Sequence, residues 1–279
     1  MIDIYFKARE PKPMKNLPIG IQTFSKIRTG DYYYVDKTHQ LKDLVTSGSY
    51  YFLSRPRRFG KSLFLDTLSE AFSGNVDLFR GLYLEHNWDF GIKHPVIKID
   101  FGSGVHKEPK ILEVFIRENF QEICNRESIQ LKSETINGLF RELILTLEKK
   151  YSQKVVILVD EYDKPILDNI TNSEVAKEMR DVLRNLYSVI KGSDAHLKFV
   201  FITGVSKFSK INLFSGLNNL LDITLDSRYA TICGYTESEL TVFQDRLIDV
   251  DREEMKIWYN GYNFLGDAVY NPFDILLFW

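Results

Sequence analysis

The sequence predicts an α/β fold, a central parallel sheet with helices on both faces. Two observations carry that prediction. Short, uninterrupted apolar runs alternate with longer stretches of helical periodicity, the pattern of strands buried on both faces and joined by helices. One of these strands runs into a basic loop and then a helix, and another ends in two adjacent carboxylates. Composition agrees: 44% hydrophobic and 27% charged residues over 279 positions describe an ordinary globular chain with a sizeable core.

The elements follow in order. Residues 1–18 carry three prolines and several lysines and read as an extended arm. Leu41, Leu44 and Val45 recur at helical spacing after Asp36-Lys37-Thr38, where Asp36 or Thr38 can cap the helix. Beyond Gly48, Tyr50 to Leu53 is a strand, and Leu63, Phe64, Leu68 and Phe72 set a helix starting at Lys61. A second strand is expected at Val96 to Phe101, followed by helices over Pro109 to Asn125 and Ser133 to Lys150. Val155 to Val159 is the strongest strand, and a helix from Ser173 to Lys191 precedes another strand at Leu197 to Thr203. A smaller strand is expected at Tyr229 to Cys233. Thr236 with Glu239 then has the spacing of a capping box.

This gives three regions: the arm at 1–18, an α/β domain at 19–235 and a small helical lid at 236–279. Trp258, Tyr259, Tyr262 and Phe264 read as core of that lid, with no substrate expected there. The apolar end, Phe273 to Trp279, reads either as a buried final helix or as a chain cut before a further domain. A net charge of −2 and a pI near 6.2 provide no global field for nucleic acid. Cys124 and Cys233 are too few and too far apart for a zinc cluster or a disulfide framework. No apolar run approaches the roughly 20 residues of a spanning helix and no signal peptide is visible, so a cytoplasmic protein is expected.

The chemistry sits in two places. Arg55-Pro56-Arg57-Arg58-Phe59-Gly60-Lys61-Ser62 matches most of the pattern G-x-x-x-x-G-K-[ST]. A loop of this kind wraps phosphate with inward backbone N–H groups above a helix N-terminus. Gly60 lets the backbone approach the oxygens, Lys61 can bridge β and γ phosphates, and the Ser62 hydroxyl can ligate Mg2+. Arg55 replaces the first glycine, and Arg55, Arg57 and Arg58 form a cluster able to neutralise triphosphate or simply to pair with surface acids. The nucleotide-binding set is therefore Arg55 to Leu63. The second place is the end of Val155 to Val159, a Walker B-like strand. Asp160 is expected to hold the metal opposite Ser62, and Glu161 to polarise the attacking water. Val96 to Phe101, inserted between the two motifs, is expected to set their strands apart in the sheet, as in AAA-type and RecA-type ATPases.

Beyond these motifs the chain resembles the bacterial AAA-ATPase-like proteins. The resemblance rests on Leu17-Pro18-Ile19-Gly20, Tyr34 to Thr38, Arg55 to Ser62, Val159 to Pro165, and Phe201 to Ser206. It continues through Leu213 to Leu220, Trp258 to Tyr262, and Tyr270 to Phe273. An arginine at the first-glycine position is shared with that family. The resemblance implies an ATPase of the additional-strand P-loop class that uses ATP and Mg2+. Thr203 would then be a sensor residue touching the γ-phosphate or the water, with Lys207, Lys210 and Arg228 as finger-like cations or plain surface charges. Longer relatives carry a PD-(D/E)XK nuclease-like domain, so a downstream domain, a homo-oligomer and nucleic acid are candidate partners. Two readings stay open. One is an ATP-hydrolysing switch or motor; the other is a nucleotide-binding interaction module with negligible turnover, which Arg55 favours. Phosphoryl transfer to a small acceptor is disfavoured by Glu161.

Overall fold

A computed structural model describes residues 14–206, 219–248 and 250–279. Lys207, Lys210, residues 213–218 and the first 13 residues of the arm lie outside the described residues. Five parallel strands form the sheet: β1 (Tyr50–Ser54), β2 (Val96–Asp100), β3 (Val155–Asp160), β4 (Leu197–Gly204) and the two-residue β5 (Leu221–Asp222). Their order across the sheet is β2-β3-β4-β1-β5.

That order revises one expectation. The strand dividing β1 from β3 is β4, whereas β2, which lies between the two motifs in sequence, sits at the sheet edge. The separation is as expected; the strand responsible is not. β4 is long and almost wholly buried, which suits a central position flanked on both sides.

The helices are α1 (Phe24–Thr29), α2 (Thr38–Ser47), α3 (Lys61–Phe72), α4 (Leu84–Asn87), α5 (Pro109–Glu127), α6 (Ile136–Tyr151), α7 (Lys164–Leu167) and α8 (Ser173–Gly192). Two more, α9 (Arg252–Tyr259) and α10 (Pro272–Phe278), lie in the C-terminal segment. Because side chains alternate along a strand, each strand supplies both cores. Ile157, Val159, Val200 and Ile202 pack with Leu112, Ile116, Phe140 and Leu183 of α5, α6 and α8. Val156, Leu158, Phe199 and Phe201 point the other way, onto Leu41, Phe64, Leu65 and Leu68 of α2 and α3. Every residue of β3 is buried.

The C-terminal segment is less regular. Tyr229 to Cys233 is not a strand: Ser227–Tyr229 is a 3-10 turn, and bends follow. Arg55 takes up the carbonyls of Tyr229 and Ala230, groups a strand would have placed in its ladder. The extended pair instead joins β6 (Tyr235–Thr236) to β7 (Val269–Tyr270), antiparallel. Thr236 and Glu239 do form the reciprocal cap, Thr236 N donating to Glu239 Oε2 at 2.8 Å and Glu239 N to Thr236 Oγ1 at 3.3 Å. The helix so capped is 3-10, Glu239–Arg246.

A third cluster joins Leu240, Phe243, Met255, Tyr270, Ile275 and Leu276 to Tyr33 and Val35 from the start of the chain. Trp258, expected in the core, is 75% exposed; it falls on the outer side of α9, where Met255 is the buried residue. Asn16 bridges Tyr32. Among the described residues no helix is long and apolar enough to cross a membrane.

Candidate functional site

The loop after β1 is built to leave amides unpaired. Arg55 N donates to Gly204 O at 3.2 Å, continuing the ladder one step beyond the strand. Arg58 and Gly60 then adopt left-handed backbone, φ 63° and 94°, and Lys61 opens α3. A Cβ at Gly60 would meet nothing, so glycine is required there by conformation alone. The first helical bond runs from Phe64 N to Gly60 O at 3.0 Å, which leaves the amides before it at a helix N-terminus facing a cavity.

The structure separates the three arginines. Arg55 is 1% exposed and its guanidinium donates to the carbonyls of Ser54, Thr224, Tyr229 and Ala230, while stacking 3.8 Å from the centroid of Phe264. Burial lowers its pKa to about 10, so it stays charged at neutral pH. The expectation that Arg55 neutralises phosphate is therefore corrected: both of its terminal nitrogens are committed to backbone carbonyls, away from the residues that line the cavity. Phe59 likewise is core, edge-on to Tyr262 and Phe264. Arg57 and Arg58 are exposed and line the cavity with Gly60, Lys61, Ser62 and Leu63. Pro56 is partly buried and supplies a carbonyl to Lys61.

Lys61 is 4% exposed, and its ammonium donates to the carbonyls of Arg55 and Pro56, both at 3.0 Å. Burial pulls its pKa down, and Asp160, Glu161 and Asp163 oppose that fall. The cation thus lies within electrostatic reach of the acidic strand end. Asp160 is 2% exposed, and both of its hydrogen bonds fall on Oδ1, from the Thr203 hydroxyl and from Glu161 N at 3.1 Å. Thr203, fully buried, links β4 to β3 through that contact.

Glu161 lines the cavity with its backbone in left-handed space at φ 49°, a conformation uncommon outside glycine and frequent at functional sites. Burial raises its pKa, Asp160 raises it further, and Lys61 acts against both. Asp163 is fully buried and accepts from Val205 N and Ser206 N, bracing the end of β4. Lys164 pairs with Asp168 on the cavity wall.

Sequence reasoning passed over Asp100. It ends β2 in register with Asp160, accepts from Gly102 N at 2.7 Å, and has its pKa raised by burial and by Asp160. The signal was available, because Asp100 closes an apolar strand just as Asp160 does.

The cavity measures about 700 Å³ and is walled by four parts of the chain. Besides the loop and the stretch from Glu161 to Asp168, the lining includes Ile21, Tyr34 and Lys37 from the start of the chain and Gly234, Tyr235, Phe273 and Leu276 from its C-terminal segment. The C-terminal stretch, set aside in the sequence reading, therefore does help to enclose it. Gly234 is irreplaceable on two counts: φ is 89°, and a Cβ would lie 2.7 Å from the Phe59 ring. Lys37 fastens the wall, its ammonium 2.6 Å from Glu239 and 2.8 Å from Thr231 O.

Among the described residues, no group of three or more His, Cys, Asp or Glu side chains is arranged to hold a metal ion. The side-chain oxygens that the loop and the strand end offer are the Ser62 hydroxyl and the Asp160 carboxylate. This sparse set suits Mg2+, which keeps water and phosphate in most of its coordination sphere.

A family model described as predicted AAA-ATPase (AAA-ATPase-like) matches residues 18–214. The chain belongs to that family. Membership in the AAA-ATPase-like family carries nucleotide binding with it and agrees with the five-stranded parallel α/β fold. An uncharacterized protein in the vnfD 5′ region of Azotobacter chroococcum mcd 1 is 57% identical over 265 residues, covering 94% of this chain and 51% of that protein. This AAA-ATPase-like chain thus spans about half the length of the curated relative it matches.

Proposed function

We propose that the chain binds Mg-ATP in this cavity and hydrolyses it, acting as a switch for an attached or partner domain. One observation supports the reading above the others. A buried lysine on the phosphate-type loop lies in the field of Asp160 and Glu161, and Lys61, Ser62 and Glu161 open on one cavity at the C-terminal ends of the strands. In this reading the amides of residues 57–62 and the Lys61 ammonium cradle the triphosphate. Lys61 leaves its two carbonyl partners to do so, a change that burial makes cheap once anionic oxygens are offered.

Ser62 and Asp160 would hold the magnesium ion, which would supply positive charge against the phosphates. Thr203 keeps Asp160 oriented through Oδ1. Glu161 takes a proton from the attacking water, and its raised pKa suits it to that work near neutral pH. The enclosing wall from Tyr34, Tyr235 and Leu276 offers an apolar seat for the base.

The test separates binding from turnover. Lys61→Ala is expected to abolish ATP binding, and Glu161→Gln to retain it while phosphate release falls roughly 10²-fold or more. Wild-type turnover in both variants would overturn the mechanism. Tight nucleotide binding by the wild type with no phosphate release would favour the interaction module instead.

A further inference from the structure

The loop from Arg55 to Gly60 meets the C-terminal segment through two arginine–aromatic pairs, and the pairs differ. Arg55 is buried against Phe264 and tied to four carbonyls. Arg58 is exposed, its guanidinium lies 4.1 Å from the centroid of Phe273, and among the described residues it makes no hydrogen bond or ion pair. The first arginine is an anchor. The second is held by the ring alone.

Two further observations bear on Arg58. Its backbone is left-handed at φ 63°, a conformation an arginine does not choose unaided. Both Arg58 and Phe273 wall the cavity into which Lys61, Ser62 and Glu161 open. An exposed cation–π contact is weak, whereas a guanidinium on phosphate gains charge-assisted, often bidentate hydrogen bonds. Phosphate in the cavity therefore outcompetes the ring for Arg58.

We propose that Arg58 is a nucleotide-operated latch. Without nucleotide it stacks on Phe273 and pins the first turn of α10; with a triphosphate bound it turns to the phosphates and lets that turn go. The inference rests on the proposed ATP site and adds to it the element that responds. Release reaches beyond α10, because Ile275 and Leu276 belong to the cluster containing Tyr33, Val35 and Phe243, and Trp279 stacks 4.8 Å from Phe243. A local exchange of partners at one arginine thus loosens the C-terminal wall of the cavity.

The test is a double-mutant cycle on MgATP affinity, measured by calorimetry on the whole chain. Phe273→Leu keeps apolar bulk and removes the competing ring face, so affinity should rise about 2- to 5-fold, the value of an exposed cation–π contact. Phe273→Trp, a better ring for a cation, should lower it. In an Arg58→Ala background both changes should vanish, and Arg58→Ala alone should weaken MgATP. Amide hydrogen exchange at residues 273–276 should quicken on adding MgATP to wild type but not to Arg58→Ala. Affinities indifferent to residue 273, or effects that persist without Arg58, would overturn the latch while leaving the ATP site intact. Failure of the wild type to bind MgATP would remove both together.

Discussion

The strand ends and the C-terminal segment face each other across one cavity, but they are held in different ways. β3 and β4 are buried almost end to end, held by the backbone ladder between them and by apolar contacts on both faces of the sheet, with the exposed Lys198 at a shift of register the exception. Among its described residues, the segment from 219 to 279 has only two-residue strands, two 3-10 helices and two short α-helices. It packs through a small apolar cluster shared with Tyr33 and Val35, and it is tied by polar contacts from far away in the chain: Lys37 to Glu239, Tyr33 to Asp245, and Arg55 to the carbonyls of Thr224, Tyr229 and Ala230. One wall of the site is a rigid edge and the other is pinned at a few points. Local stability in proteins is unequal in this way, and elements that move are drawn from the weaker end.

That contrast can be broken most severely at Arg55. Restoring the glycine of the common loop pattern, Arg55→Gly, should cost about 3–5 kcal/mol in urea unfolding, because it empties a packed site and orphans buried carbonyls. Arg55→Lys should recover little, since an ammonium cannot reach four acceptors in a planar array. If Arg55→Gly unfolds at the wild-type midpoint, the anchor role is wrong.

A smaller effect is expected at Lys37 and Glu239. The pair is mostly buried, and burial lowers the Lys37 pKa while Glu239 resists that change. Glu239→Gln leaves an uncompensated cation and should destabilise by about 1–3 kcal/mol. The double change Lys37→Met with Glu239→Leu should be much milder. Unfolding midpoints that simply add across the cycle would show that the two side chains are not coupled.

The smallest predicted effect sharpens the rigid side of the comparison. In the proposed mechanism Glu161 is a base only when ionised, and its pKa is raised by burial first and Asp160 second, with Asp100 adding to the same direction. Turnover should therefore fall, as pH is lowered, at a pH above the ordinary glutamate range. Asp100→Asn removes one of the raising charges and should move that acid limb downward. A pH–rate profile with the limb unmoved would place Asp100 outside the field of Glu161.

Much of the rigid side was readable in one dimension. Val155 to Val159 can only be a strand buried on both faces, and Gly60-Lys61-Ser62 after Tyr50 to Leu53 fits a loop between strand and helix. The weaker side was not. Tyr229 to Cys233 has strand-like residues, yet its carbonyls are claimed by Arg55, 174 positions earlier for Tyr229, and the chain turns. Arg55 itself reads as one of three equivalent cations in the sequence. Only its burial shows that it is a fastener, and nothing local announces it. Trp258 reads as core from its type and lies in solvent because Met255 occupies the inward face of α9.

The sequence by itself determined the parallel sheet, the phosphate-type loop between strand and helix and the carboxylates at the strand end, since periodicity and short motifs act over a few residues. The tertiary structure alone decided that β4 divides β1 from β3, that Asp100 joins Asp160 at the strand ends, and that Phe273 meets Arg58. Those outcomes depend on which distant segments compete best for the same buried surface, and no local pattern encodes that competition.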